Sequence, residues 1–204
     1  MDSTGEWWLI GIILAGGESR RFGSQKAFHK LDGQPFYRRI ARVMEASEQF
    51  SRIVISSNTT IADHFEGYPV IIDHDCYINH GPLAGIYAVM ETCPADAYMV
   101  ISVDTPYITT AAINVLAGEY KGNLTVYKDN IQIHGTIGIY PNDLKPTIHR
   151  LLDEKRLAIR NLFTEDTKYV NVTQVPGNWY ANINTPGDLA AKKAGELDDR
   201  TNNR

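Results

Sequence analysis

The stretch Leu9-Ile10-Gly11-Ile12-Ile13-Leu14-Ala15, running directly into Gly16-Gly17, decides the fold. A continuous apolar run of this length matches a strand covered on both faces, as strands of a parallel sheet are. The glycine pair removes side chains where the chain must turn, so backbone N–H groups can come close to a ligand. Arg20, Arg21, Gly23 and Lys26 follow, and a positive glycine loop suits an anion.

Outward from this strand the pattern alternates. Phe36, Ile40, Val43 and Met44 recur at helical spacing and predict a helix over 35–46. Strands are predicted over 52–57, 69–72 and 97–103, with helices over 82–90 and 109–116. Further on, strands are expected over 124–127, 132–140 and 168–172, and helices over 144–152 and 157–163. Thr185-Pro186-Gly187-Asp188 supplies an N-cap, a first-turn proline and an acid three residues after the cap, so a last helix should run to about Lys193. Alternating elements predict an α/β fold, a three-layer sandwich with a mostly parallel central sheet. One domain is expected over 1–193, with a polar tail over 194–204. Ligands of such sheets lie beyond the carboxyl ends of the strands. Here those ends carry Gly16-Gly17, Ser56-Ser57-Asn58, Asp73 and Asp104.

Composition bounds the function. The chain has 204 residues, is 43% hydrophobic and 22% charged, and carries a net charge of −4. That balance fits one globular domain and lacks the basic footprint of a nucleic-acid binder. Cys76 and Cys93 make no C-x-x-C pair and read as reduced thiols. No apolar stretch approaches the ~20 residues of a membrane helix. The opening MDSTGEWW has no basic segment before an apolar core, so no signal peptide is expected and a cytoplasmic location is.

The loop over 16–26 is neither a P-loop nor a G-x-G-x-x-G turn. Its cations Arg21 and Lys26 can neutralise a polyphosphate. Asp104 ends a predicted buried strand before Thr105-Pro106 and offers carboxylate oxygen to a hard cation. The alternative is a carboxylate that caps the following turn. His74, Cys76 and His80 form H-x-C-x₃-H, which lacks a fourth ligand for zinc and reads as a loop able to close over substrate. Asn182 and Asn184 alternate along an extended segment and share a face.

The string L-A-G-G-x-S-x-R-x-G-x-x-K over 14–26 resembles the signature of nucleotidyltransferases with a glycosyltransferase-A-like, Rossmann-like fold. With Asp73, Gly81-Pro82-Leu83-Ala84-Gly85, Asp104-Thr105-Pro106 and Asn182-Ile183-Asn184-Thr185-Pro186, the chain is similar to molybdenum cofactor guanylyltransferases. Gln25 and Gly135 depart from that pattern, which commonly has an acid before the lysine and a proline-containing motif near 134–136. The resemblance implies GMP transfer from GTP to molybdenum-molybdopterin, giving the guanine dinucleotide cofactor and pyrophosphate. It implies Leu14, Ala15, Gly16, Gly17 and Lys26 at the nucleotide, Asp73 at guanine, and Asp104 at Mg²⁺. Asn182 and Asn184 fall to the pterin, and Arg21, Lys26 and Asp104 to catalysis. Expected partners are other molybdenum-cofactor synthesis proteins and molybdoenzymes, with no nucleic acid and no membrane. The same residues leave open a cytidylyltransferase, a sugar-1-phosphate nucleotidyltransferase, or a protein that binds GTP and cofactor without catalysis.

Overall fold

The computed structural model describes residues 8–17 and 25–193. Arg21 and the expected tail over 194–204 lie outside the described residues. In chain order the strands are β1 (Leu9–Leu14), β2 (Lys30–Leu31), β3 (Gln34–Pro35), β4 (Arg52–Ser57), β5 (Val70–Ile72), β6 (Ala97–Ser102), β7 (Thr125–Lys128), β8 (Ile133–Pro141) and β9 (Lys168–Asn171). The helices are α1 (Phe36–Ala46), α2 (Pro82–Thr92), α3 (Thr110–Glu119), α4 (Lys145–Asp153) and α5 (Pro186–Lys193).

The central sheet has seven strands in the order β5-β4-β1-β6-β8-β7-β9. β1 pairs in parallel with β4 and β6, and β4 with β5. β8 runs antiparallel to β6 and β7, so the sheet is mostly parallel with one reversed strand. Burial on both faces explains why β1 reads as an unbroken apolar run. Its residues divide by parity. Leu9 and Ile13 join Phe36, Ile40 and Ile113 under α1 and α3, with Leu189 of α5. Ile10, Ile12 and Leu14 join Leu83, Ile86, Ile148 and Leu151 under α2 and α4. The sheet is therefore the middle of three layers.

Two local readings differ from expectation. The segment over 157–163 is a short 3-10 turn at Ile159–Leu162, not a helix. Ile159 and Leu162 are buried there, so apolar spacing reports packing under the sheet rather than helical continuity. The β2–β3 ribbon was not expected; Asp32 (φ 53°) and Gly33 (φ 81°) form its turn, the chemistry that an Asp-Gly pair favours.

The sheet order creates a switch point. From β1 the chain leaves through α1 towards β4, while α2 carries it from β5 back across to β6 on the opposite face. The carboxyl ends of β1 and β6 thus part around a crevice.

Candidate active site

A cleft of about 600 Å³ opens over that switch point. Its floor is Leu14, Gly16 and Gly17 at the carboxyl end of β1, with Ser56 and Asn58 at that of β4. Ser102, Val103 and Asp104 come from β6, and Ile72 and Asp73 from β5. Ile78, Asn79, Gly81, Pro82 and Gly85 form a wall leading into α2, Lys26 comes from the loop after β1, and Thr136 comes from β8.

The glycine turn is held from behind. Ala15 N donates to Ser56 O at 2.8 Å, and Asn58 Nδ2 donates to Gly16 O at 2.8 Å. Asn58 Oδ1 accepts from Thr60 N at 3.0 Å, which fixes the amide's orientation. Ala15 is buried, so it supports the turn rather than lining the cleft. In α2, a Cβ at Gly85 would run into Ser56 Oγ and stand 3.3 Å from Leu14 Cδ2. Only glycine lets the first turns of α2 approach the floor this closely.

Asp104 follows β6 in a tightly bonded turn. Thr105 Oγ1 donates to Ser102 O at 2.7 Å, Ile183 N donates to Asp104 O at 2.7 Å, and Arg39 Nε donates to Pro106 O at 3.0 Å. The backbone is pinned, yet Asp104 Oδ1 is buried without a hydrogen-bond partner among the described residues. A buried acceptor left without a donor is costly, and a cation can satisfy it.

Lys26 Nζ donates to Asn184 Oδ1 at 3.1 Å. Partial burial pushes its pKa below the ordinary 10.5, against the opposing pull of the Asp104 and Asp188 carboxylates. Asp188 Oδ2 accepts from Asn184 N and Thr185 N at 2.8 Å each, and Asp188 N donates to Thr185 Oγ1 at 3.1 Å. The cap of α5 therefore also sets the residue that holds Lys26. Asn182 and Asn184 are both exposed and lie outside the cleft lining, Asn184 meeting it through its bond to Lys26.

Burial raises the Asp73 carboxyl to about 6, although His74 and His80 pull it down. His80 Nδ1 is 3.0 Å from Ile78 O, and His74 packs near the Tyr87 ring. No three His, Cys, Asp or Glu side chains among the described residues converge as a metal-holding group. The cleft therefore offers single carboxylates, Asp104 with its open acceptor and Asp73, rather than a preformed metal cluster.

Sequence reasoning named Leu14, Gly16, Gly17, Lys26, Asp73 and Asp104, and these share the cleft. It did not single out Ile72, Ile78, Asn79, Gly85 or Thr136 as site residues. Gly85 was signalled by its place in Gly-Pro-Leu-Ala-Gly. Thr136 falls at the 134–136 position where this chain departs from the family pattern, and a bulge between β7 and β8 places it at the cleft. At its neighbour Gly135 a Cβ would meet Ile159 Cγ2 at 2.7 Å, so the departure from proline accompanies tight packing there. No helix among the described residues is long and apolar enough to cross a membrane.

Comparison with known proteins agrees with this fold. The profile of the MobA-like NTP transferase domain matches residues 11–170. Molybdopterin-guanine dinucleotide biosynthesis protein A from Archaeoglobus fulgidus superposes with a TM-score of 0.72 at 21% identity, covering 92% of this chain and 97% of that one. A CMP:2-keto-3-deoxy-manno-octonic acid synthetase solved with CTP gives 0.71 at 13% identity, covering 93% and 98%. A Mycobacterium tuberculosis protein solved with manganese gives 0.65 at 14%, covering 90% and 96%. At these identities the structural likeness establishes a shared fold.

Proposed function

We propose that this chain, which belongs to the family of MobA-like NTP transferase domains, moves GMP from GTP to the phosphate of molybdenum-molybdopterin and releases pyrophosphate. Family membership makes it a nucleotidyltransferase of the MobA-like kind; the choice of GTP and pterin is the added reading. One observation carries it: the Gly16-Gly17 turn, Lys26 and Asp104, whose buried Oδ1 has no hydrogen-bond partner among the described residues, line one cleft at the switch point. The likeness to a protein named for molybdopterin-guanine dinucleotide synthesis supports the pterin acceptor.

In this reading the N–H groups of Gly16 and Gly17 meet the nucleotide, and Lys26 sets its charge against the phosphates. Arg21 joins Lys26 there on its sequence position. Asp73 accepts from the base or ribose beside Asn79. Asp104 would hold the divalent cation, which when bound would supply Lewis-acid stabilisation of the charge on the phosphates. A manganese-bound relative of the same fold supports a divalent ion, with Mg²⁺ the proposed one here. The acceptor phosphate is anionic at neutral pH, so in-line attack on the α-phosphorus needs positioning and charge stabilisation but no general base. Asn182 and Asn184 flank the acceptor side, and other molybdenum-cofactor proteins are the proposed partners in hand-over.

The deciding experiment measures pyrophosphate release with Mg²⁺, GTP and molybdenum-loaded molybdopterin, beside CTP and an acceptor-free control. Release with GTP and acceptor together supports guanylyl transfer. Release with CTP alone moves the protein to a sister activity. No release from folded protein with either nucleotide and intact acceptor refutes the proposal.

A further inference from the structure

The cleft wall that carries Asp73, Ile78 and Asn79 has its anchor outside the cleft. Between β5 and α2 the chain makes a 3-10 turn at Asp75–Tyr77. Residues 74–81 are exposed or half-buried except Tyr77, which is 8% exposed. Its ring enters the core under α2 and α4. There it meets Tyr87 edge-on with centroids 5.9 Å apart, and His149 at 6.1 Å. Its hydroxyl donates to Asp153 Oδ1, at the end of α4, at 2.6 Å. Tyr77 N donates to His74 O at 2.8 Å and His80 N to Tyr77 O at 3.0 Å, so the segment is folded around this one side chain.

We propose that Tyr77 and Asp153 form a tether that holds the 73–81 wall where it can contact the nucleotide, which makes both of them positioning residues for nucleotide recognition. The inference rests on the reading of the cleft as a nucleotide site. A phenol donating to a carboxylate makes a charge-assisted bond, stronger than a neutral one. The bond pushes the Tyr77 hydroxyl up to about 12, so it remains a donor at any physiological pH. Asp153 Oδ2 is also 3.8 Å from His149 Nε2, an exposed and weak pair that leaves Oδ1 to Tyr77. A wall with one buried anchor has a docked and a released state. Nucleotide affinity then scales with the docked fraction, while the chemistry after binding does not.

The test is GTP binding to the full chain by calorimetry with Mg²⁺ present, together with kcat and KM. Tyr77→Phe keeps the ring and removes the donor. Asp153→Ala removes the acceptor at an exposed position and serves if the tyrosine variant folds poorly. Each should weaken GTP binding about five- to tenfold with kcat nearly unchanged. The double variant should lose no more than either alone, and Asp153→Asn, which keeps an acceptor oxygen, should recover most of the affinity. Unaltered binding in Tyr77→Phe, or additive losses in the double variant, overturns the tether alone. A wild-type chain that binds no nucleotide overturns the cleft reading and the tether with it.

Discussion

Replacing Asp73 with asparagine should stabilise the protein while damaging its nucleotide site. Burial raises this carboxyl from 3.8 to about 6, so near neutral pH the folded chain holds an ionised group in a place that disfavours charge. The folded state therefore binds more protons than the unfolded chain between those values, and stability falls as pH rises through that window. The full gap is worth about 3 kcal/mol. Partial solvent exposure reduces it to about 1–2 kcal/mol. Asp73→Asn removes the charge at nearly constant volume, so urea unfolding at pH 7.5 should show a gain of about 1–2 kcal/mol. Near pH 4, where folded Asp73 is already protonated, the gain should shrink to about half a kcal/mol or less. GTP affinity should meanwhile fall about tenfold, because a carboxylate accepting N–H or O–H groups has been lost. In the wild type, GTP affinity should improve from pH 5 to 7 as Asp73 ionises. A variant no more stable than wild type at pH 7.5, or a gain equal at both pH values, refutes the burial argument.

Asp104→Asn should lower pyrophosphate release about a thousandfold or more, with an unchanged circular dichroism spectrum. Lys26→Gln keeps a donor for Asn184 but removes the charge, and kcat/KM for the nucleotide should drop about 10- to 100-fold. Because burial lowers the Lys26 pKa, activity should decline on the alkaline side below pH 10.5, and Lys26→Arg should flatten that decline in a pH–rate profile. Gly85→Ala sets the ~1 kcal/mol helical gain of alanine against an overpacking cost of about 1–3 kcal/mol. Net destabilisation in urea unfolding is expected, and Ser56→Ala in the same chain should relieve it, since Ser56 Oγ is the atom in the way.

The fold was legible where burial is two-sided. β1 and β6 are unbroken or nearly unbroken apolar runs, and their bounds, like those of β4, came within a residue of expectation. The site was legible where the chain turns directly off a strand: Gly16-Gly17, Asp73 and Asp104 each follow one. What lies opposite them was not. Thr136 reaches the cleft because β8 runs antiparallel beside β6 and then bulges, a pairing that no local pattern in 132–140 encodes. Asn79 sits at φ 62°, a left-handed turn that asparagine tolerates but does not announce. Lys26 was expected at the phosphates; its bond to Asn184 joins residues 158 positions apart and had no sequence signal.

The bond from Ile183 N to Asp104 O and the reach of Asn184 to Lys26 lie past residue 170, where the family profile ends. The site is therefore assembled from two separate stretches of the chain. A graft carrying β1 through β9 into another scaffold would transplant the glycine turn and the aspartate but strand both from the segment that braces them. Any chimaera or circular permutant of this enzyme has to keep the first turn of α5 in register with the loop after β1, however far apart the two stand in the gene.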